Sequence, residues 1–227
     1  MLTLGIDTSG PAGTVALVRE GKLLGESRLD ESGRRHARSL VAEIDRLFQQ
    51  TGLRVADCEA VAVSIGPGSF TGLRVGVVAA KTLAYAAGWR LAAVDTFLAI
   101  AENGPPEVDD LWVTANAQRG EVYVGRYLRR GDRYFARAGE LSIRPLSAFC
   151  RELGAGDVIS GPGAALLPAE AADRVRVLAP EHRQPRAGIV ARLGEEAIAA
   201  GITADVWTLV PLYLRRSAAE EQWDRPT

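Results

Sequence analysis

A glycine-rich stretch carries the residue types in this chain that could hold an anion: Gly66-Pro67-Gly68-Ser69-Phe70-Thr71-Gly72-Leu73-Arg74. It lies between an apolar run at 60–65 and a helix-like run at 71–87, so its glycines predict a tight strand-to-helix turn. Such a turn directs backbone N–H groups and a helix N-terminus at one point, which suits a phosphate. The stretch lacks the Lys-Ser/Thr pair of a P-loop and the spacing of the dinucleotide fingerprint. Close packing of backbone against helix is the alternative use of these glycines.

Asp7, at the end of the first predicted strand, is a second candidate for phosphate chemistry. In a kinase, an aspartate at this place could orient a metal-bound nucleotide. The alternative is that Asp7 or Ser9 hydrogen-bonds the very short turn that follows. We predict a vestigial phosphate loop made of Asp7, Thr8, Ser9, Gly66 and Gly68.

Other catalytic chemistry finds little support in the sequence. The two histidines, His36 and His182, cannot form the paired ligands of a metalloprotease motif. The serines that flank the glycine stretch do not match the Gly-x-Ser-x-Gly elbow of the hydrolases. Cys58 lies between two acidic residues, whose charge disfavours a reactive thiolate. We therefore predict no catalytic residue and no metal site.

Composition narrows the class of protein. The chain has 227 residues with 27 basic and 28 acidic side chains and a net charge of −1, so no global positive field draws it to nucleic acid. Two cysteines are too few for a disulfide framework. The N-terminus lacks the plan of a signal peptide, and no apolar run reaches the roughly 18 residues that cross a bilayer. We expect a cytoplasmic protein that does not associate with a membrane.

The elements that position these residues recur twice along the chain. A three-stranded meander, a helix, a strand ending in Gly-Pro-Gly and a second helix occupy the first part, and the same order begins again after the polar stretch at 102–107. This recurrence predicts a duplicated α/β protein with an N-terminal half at 1–101 and a C-terminal half at 102–227. Two facing halves of this kind form the actin-like (ASKHA) architecture of sugar kinases and Hsp70, which fixes no chemistry by itself.

The helix predicted at 71–87 is apolar around nearly its whole circumference. A helix of this kind must be covered on more than the side that its own sheet supplies. We predict that it forms a dimerisation face together with the first helix at 34–50, the alternative being that the first helix covers it within the chain. The predicted interface residues are His36, Leu40, Gly72, Arg74, Val75, Gly76, Val78, Ala79 and Leu83.

Four segments together resemble one family. They are Gly5-Ile6-Asp7-Thr8-Ser9, the run from Ser64 to Arg74, Arg119-Gly120-Glu121-Val122-Tyr123 and Pro211-Leu212-Tyr213-Leu214-Arg215. The chain resembles the TsaB (YeaZ) family, the bacterial partner subunits of the machinery that makes threonylcarbamoyladenosine in tRNA. The resemblance spans nearly the whole chain and implies an actin-like fold with little catalysis by the subunit itself.

The resemblance also implies partners. They are a TsaD-like catalytic subunit, which this chain would dimerise with and stabilise, a TsaE-like small ATPase, and tRNA reached through the complex. We expect a homodimer in isolation, no tightly bound cofactor, and ATP or ADP only in the complex. The alternative is an ATP-dependent phosphotransferase of the same architecture, and a metallohydrolase is a third hypothesis.

The chain departs from the family pattern at two places. Asn116-Ala117-Gln118 replaces the usual Asp-Ala-Arg, which removes an ion pair while amides could keep its hydrogen bonds. The two metal-binding histidines of the catalytic relative correspond to Thr96 and Ile100, whose side chains are unsuited to iron or zinc. From Arg215 onward the tail is expected to fray, with its arginines either solvated or in contact with a partner or tRNA phosphate.

Overall fold

The protein folds around two β-sheets built on one plan. The structure is a computed structural model that describes residues 1–29, 36–130, 133–136 and 139–215, with the backbone alone at 36–38, 130 and 133–136. The strands are Leu2–Asp7 (β1), Thr14–Arg19 (β2), Lys22–Arg28 (β3), Ala60–Gly66 (β4), Arg90–Asp95 (β5), Asp110–Gln118 (β6), Glu121–Arg130 (β7), Arg133–Ala136 (β8), Ser142–Pro145 (β9), Val158–Ser160 (β10) and Arg176–Val177 (β11). The helices are His36–Thr51 (α1), Phe70–Ala87 (α2), Thr96–Glu102 (α3), Leu146–Glu152 (α4), Ala169–Ala172 (α5) and Ala187–Ala199 (α6).

The strand order of the two sheets confirms the predicted duplication. The first sheet runs β3-β2-β1-β4-β5, and the second runs β8-β7-β6-β10-β11, with β9 paired beside β8 on β7. In both sheets the first strand of the half pairs antiparallel with the next strand and parallel with the strand that precedes Gly-Pro-Gly. The two Gly-Pro-Gly loops therefore follow equivalent strands, β4 and β10.

Helices cover both faces of the first sheet. Leu4, Ile6 and Val63 belong to one apolar cluster with residues of α1 and α2, whereas Ala62 belongs to another with residues of α6. Small residues on the α6 face permit a close approach, since a Cβ added to Gly194 would lie 2.3 Å from the Cβ of Ala62. The last helix of the second half thus packs on the sheet of the first half.

Several short elements were not predicted from sequence. β5 runs directly into α3, whose N-cap is Asp95, so no turn residues separate the two elements. β9, β11 and α5 have only two to four residues each, too few for a periodic pattern. The longer elements agree closely with prediction, α2 beginning at Phe70 and α1 at His36, with residues 34 and 35 outside the described ranges. The boundary at 101–102 stays a prediction.

In the described part of the chain, no helix combines the length and the apolar character that crossing a bilayer requires.

Candidate functional site: the cleft and the helical face

The Asp7 side chain is hydrogen-bonded within the turn that follows β1. Its carboxylate is buried and accepts hydrogen bonds from the Ser9 N–H at 3.2 Å and from the Ser9 hydroxyl at 2.9 Å. The Ser64 hydroxyl, on β4, also donates to it. The carboxylate thus fixes the turn and ties β1 to β4, as in the alternative interpretation of Asp7.

The first turn of helix α2 packs against Thr8, which lies in the β1–β2 turn. A Cβ on Gly72 would lie 2.0 Å from the Thr8 carbonyl oxygen, and a Cβ on Gly76 would lie 2.3 Å from Thr8 Oγ1. The Thr8 hydroxyl donates to the Gly72 carbonyl at 2.7 Å. This corrects the assignment of Gly72 and Gly76 to a partner-facing surface, because both glycines are buried against their own chain.

A cleft lies between the two halves. Its cavity of about 460 Å³ is lined by both Gly-Pro-Gly loops, by the β1–β2 and β6–β7 turns and by α3. Of the predicted phosphate loop, Ser9 and Gly68 line the cavity, whereas Asp7, Thr8 and Gly66 are buried away from it. Among the described lining residues, none carries a charged side chain; the polar ones are Ser9, Ser69, Thr96, Asn116, Gln118, Tyr123 and Gln184.

The β6–β7 turn shares one hydrogen bond with the β1–β2 turn but has a different backbone conformation. Asn116 Oδ1 accepts a hydrogen bond from the Gln118 N–H at 2.7 Å, the same two-residue step that joins Asp7 to Ser9. Gln118 and Arg119 have positive φ angles of 65° and 54°, a conformation that non-glycine residues adopt rarely. Asparagine therefore supplies the acceptor for this hydrogen bond without the charge of an aspartate.

Thr96 and Ile100, the positions matched to the metal ligands of the catalytic relative, have structural contacts within the chain. Thr96 is buried, and its hydroxyl accepts a hydrogen bond from the Gly66 N–H at 3.0 Å. Ile100 is buried in the apolar cluster of the second half. In the described ranges, histidine, cysteine and acidic side chains do not gather into a group of three that could hold a metal ion.

Asp95 links the first half to the second, next to Thr96, which lines the cleft. Its carboxylate accepts hydrogen bonds from the N–H groups of Phe97 and Leu98 and, at 3.1 Å, from the hydroxyl of Tyr127 on β7. Burial raises the pKa of Asp95 above its usual range, although these hydrogen bonds act in the opposite direction.

Replacing Asp95 with asparagine is expected to change how stability depends on pH. Because the pKa of Asp95 is raised on folding above about 3.9, this carboxyl's contribution to stability falls as pH rises through its folded pKa. Asparagine keeps an oxygen that caps α3 and has no proton to lose. Urea unfolding from pH 4 to 7 should show Asp95→Asn gaining stability relative to the wild type as pH rises.

Asp205→Asn is the matched control for this prediction. The pKa of Asp205 is lowered by hydrogen bonds from the backbone of Thr208 and Trp207, so its contribution is present above the unfolded pKa and lost in acid. Asp205→Asn should therefore lose stability relative to the wild type as pH rises. A stability difference between Asp95→Asn and the wild type that stays constant with pH would contradict the role given to Asp95.

The exposed surface of α1 and α2 includes part of the predicted interface. Val78 is 62% exposed and Arg74 is exposed, while Val75, Ala79 and Leu83 are half-buried. The prediction for Leu40 is wrong, because its side chain is 1% exposed and packs in the core. The side chain of His36 lies outside the described residues, and its role stays a prediction. We call the apolar part of this surface the helical face. It consists of the predicted residues Val75, Val78, Ala79 and Leu83 together with Val41 on α1, which was not predicted and is 67% exposed.

A segment that sequence reasoning left unplaced covers the other flank of α2. We call residues 204–215 the strap. It begins at the edge strand, where the Ala204 N–H donates to the Leu91 carbonyl at 2.8 Å, and reaches the end of β4, where the Leu212 N–H donates to the Ile65 carbonyl at 2.7 Å. The available signal was its apolar and aromatic composition, which Pro211 interrupts and which matches neither a helix nor a strand.

Two basic side chains of α2 hold the strap. Lys81 Nζ donates to the Leu209 carbonyl at 3.0 Å, and Arg74 Nε donates to the Tyr213 hydroxyl at 2.9 Å. At its end, Arg215 pairs with Glu121 and donates to the Ala117 carbonyl at 2.6 Å. Arg215 is therefore bound within the chain, contrary to the expectation that it is solvated or contacts a partner or tRNA.

Both cysteines are buried, and His182 contacts the backbone of another segment. Burial is the main cause that raises the pKa of Cys58 to about 11, with the neighbouring Glu59 a minor one, and burial also raises the pKa of Cys150. His182 Nδ1 lies 2.6 Å from the Asn103 carbonyl oxygen. His182 thus ties its loop to the end of α3 rather than lying free in solvent.

The fold and the cleft define a class: an actin-like duplicated α/β protein, the arrangement also found in sugar kinases. A family model described as TsaD, tRNA N6-adenosine threonylcarbamoyltransferase, matches residues 30–153. An uncharacterised protein of Mycobacterium tuberculosis is 33% identical, the match covering 96% of this chain and 93% of that one. The Bacillus subtilis tRNA threonylcarbamoyladenosine biosynthesis protein TsaB is 29% identical, with 98% of each chain covered.

A solved structure extends this likeness. The crystal structure of a Pseudomonas aeruginosa protein described as similar to the peptidase YeaZ superposes with a TM-score of 0.80 at 25% identity, covering 94% of this chain and 99% of that one. Since the TsaD model matches more than half of the chain and the TsaB relative spans nearly all of it, the chain belongs to the TsaB (YeaZ) branch of the TsaD family.

Proposed function

We propose that this chain is a non-catalytic subunit in tRNA threonylcarbamoyladenosine synthesis that dimerises with and stabilises a TsaD-like catalytic subunit. The observation that carries the proposal is the pair of surfaces: a cleft whose described lining has no charged side chain, and an exposed apolar helical face. Phosphoryl transfer depends on cations and metal ligands that offset phosphate charge, which the described lining of the cleft does not supply. An exposed apolar patch is suited to a protein partner.

The cleft side of the proposal rests on how Asp7 and Thr96 are used. Asp7, which could orient a metal-bound nucleotide, already accepts hydrogen bonds from Ser9 and Ser64. Thr96, which corresponds to a metal ligand of the catalytic relative, accepts from the Gly66 backbone. Both side chains stabilise the loops around the cleft, so we assign them no chemistry on a substrate.

The partner side rests on relatedness. A chain that resembles TsaD over residues 30–153 contains the segment with both exposed helices, so a TsaD-like partner would carry an equivalent pair. Two such pairs could associate face to face around the helical face. In isolation, a second copy of this chain would occupy the same face as a homodimer.

The remaining parts of the proposal concern the wider complex. A TsaE-like small ATPase would join the assembly, which would be cytoplasmic. The tRNA would be bound by the complex rather than by this chain alone. This chain would hold no cofactor tightly, with ATP or ADP bound only in the complex. The net charge of −1 fits an indirect relation to tRNA.

Reconstitution tests the proposed function. The purified chain alone should turn over neither ATP nor threonylcarbamoyl-adenylate. With the TsaD-like subunit, the TsaE-like ATPase and substrate tRNA present, adding this chain should raise tRNA modification at least tenfold over the same mixture without it. Strong ATP cleavage by the isolated chain would favour the phosphotransferase alternative, and stoichiometric iron or zinc would favour a metallohydrolase.

A further inference from the structure

Four strongly exposed large apolar side chains lie on α2 and on the strap. Val78 and Tyr85 on α2 are 62% and 67% exposed, and Trp207 and Val210 on the strap are 72% and 64% exposed. The Tyr85 and Trp207 rings touch edge to face, with centroids 5.2 Å apart. Exposed aromatic pairs on a well-fixed surface are typical of the residues that dominate binding energy.

The strap is held firmly enough to present these rings. Lys81 donates to the backbone carbonyls of Trp207 and Leu209, and Asp205 accepts from the N–H groups of Trp207 and Thr208 at 2.8 Å. Each bond fixes backbone on either side of Trp207. A preordered ring loses little conformational freedom when a partner covers it.

The helical face alone offers little apolar surface. Its strongly exposed members are Val41 and Val78, while Val75, Ala79 and Leu83 are half-buried. A stable interface buries about 800 Å² on each partner. An aromatic side chain can bury about 150–250 Å², so Tyr85 and Trp207, at their exposures, would add on the order of 250 Å². Tyr85 and the strap residue Trp207 therefore supply apolar area that the helical face lacks.

We propose that the strap is the second half of the partner interface, with Trp207 and Tyr85 as its anchors. The inference rests on the proposed function and names the partner's matching chemistry: the TsaD-like subunit presents an apolar pocket for the Trp207 ring beside its own helix pair. The interface then extends from α1, across the exposed side of α2 that carries Val78 and Tyr85, to the strap.

Arg74 adds a charge requirement to this surface. Its guanidinium lies 3.9 Å from the Phe70 ring centroid, and its Nε donates to the Tyr213 hydroxyl. Within the described residues its two terminal nitrogens have no hydrogen-bond partner. A guanidinium held by stacking in this way favours a carboxylate, so the partner carries an acidic residue near the pocket.

The test is calorimetric titration of the full-length chain with the TsaD-like subunit. Trp207→Ser should weaken binding at least tenfold. Ile202→Ser is the matched control: Ile202 is 66% exposed and follows α6, on the opposite side of the first sheet, so its affinity should equal that of the wild type. Arg74→Gln should weaken binding less and reduce its dependence on salt concentration. Thermal unfolding of each free variant checks that the fold is intact.

The outcomes separate the two proposals. If Trp207→Ser binds as tightly as the wild type while the helical-face variant Ala79→Glu fails to bind, the strap inference is overturned and the proposed function stands. If the wild type does not bind the TsaD-like subunit, both fail. If Trp207→Ser weakens only self-association measured by sedimentation, the strap belongs to a homodimer and the inference about the TsaD-like partner is wrong.

Discussion

Gly72→Ala is expected to destabilise the free chain by about 2–4 kcal/mol, lowering its melting temperature by roughly 5–15 °C. The added Cβ would lie 2.0 Å from the Thr8 carbonyl oxygen, a backbone atom that cannot turn away. Alanine in a helix interior gains up to about 1 kcal/mol over glycine, and this gain is smaller than the overlap costs. Relief of the overlap would move α2 away from the β1–β2 turn and lengthen the Thr8–Gly72 hydrogen bond of 2.7 Å.

Two comparisons make this result specific to the contact. Gly154→Ala is a matched control, since its Cβ would meet nothing closer than Asp157 Oδ2 at 3.8 Å, and its stability should change by less than about 0.5 kcal/mol. Adding Thr8→Ala should relieve Gly76→Ala, which meets Thr8 Oγ1, and leave Gly72→Ala unrelieved, because that overlap is with backbone. Equal stability of Gly72→Ala and the wild type would show that Thr8 does not lie against α2.

The sequence predicted the parts of the fold that have long local signals. β4, α1 and α2 have such signals, and each begins within two residues of its predicted position. The meander formed by β1, β2 and β3 was predicted as well. β5 and α3 were missed because no turn separates them, Asp95 ending the strand and capping the helix at once. The packing of α6 on the first sheet depends on contacts between residues about 100–190 positions apart, which local pattern does not contain.

The candidate site was predictable only where residue type alone identifies a residue. Asp7, Ser9 and the glycine stretch were identified by residue type, and the cleft brings Ser9 and Gly68 together. The roles of Gly72 and Gly76 were missed because small residues permit any close neighbour, and only the tertiary structure selects Thr8 over a partner. The strap was missed because its partners on α2, Lys81 and Arg74, lie more than 120 residues earlier.

Ala79→Glu is expected to weaken binding of the TsaD-like subunit at least 100-fold, a loss of about 3 kcal/mol. Ala79 is half-buried beside the exposed Val78, at the middle of the helical face. In the free chain a glutamate there can extend its carboxylate into water, so the cost to stability should stay below about 1 kcal/mol. In the complex the same carboxylate would be enclosed by apolar side chains without a partner charge.

Ala199→Glu provides the matched control, because Ala199 is an exposed alanine on α6, which packs on the other face of the first sheet. It introduces the same charge with the same helical backbone and should bind the TsaD-like subunit with wild-type affinity. Reconstituted tRNA modification should fall with Ala79→Glu and recover when its concentration is raised, since the defect lies in association rather than in chemistry. Wild-type affinity of Ala79→Glu in calorimetry would mean that the TsaD-like subunit binds elsewhere on the chain.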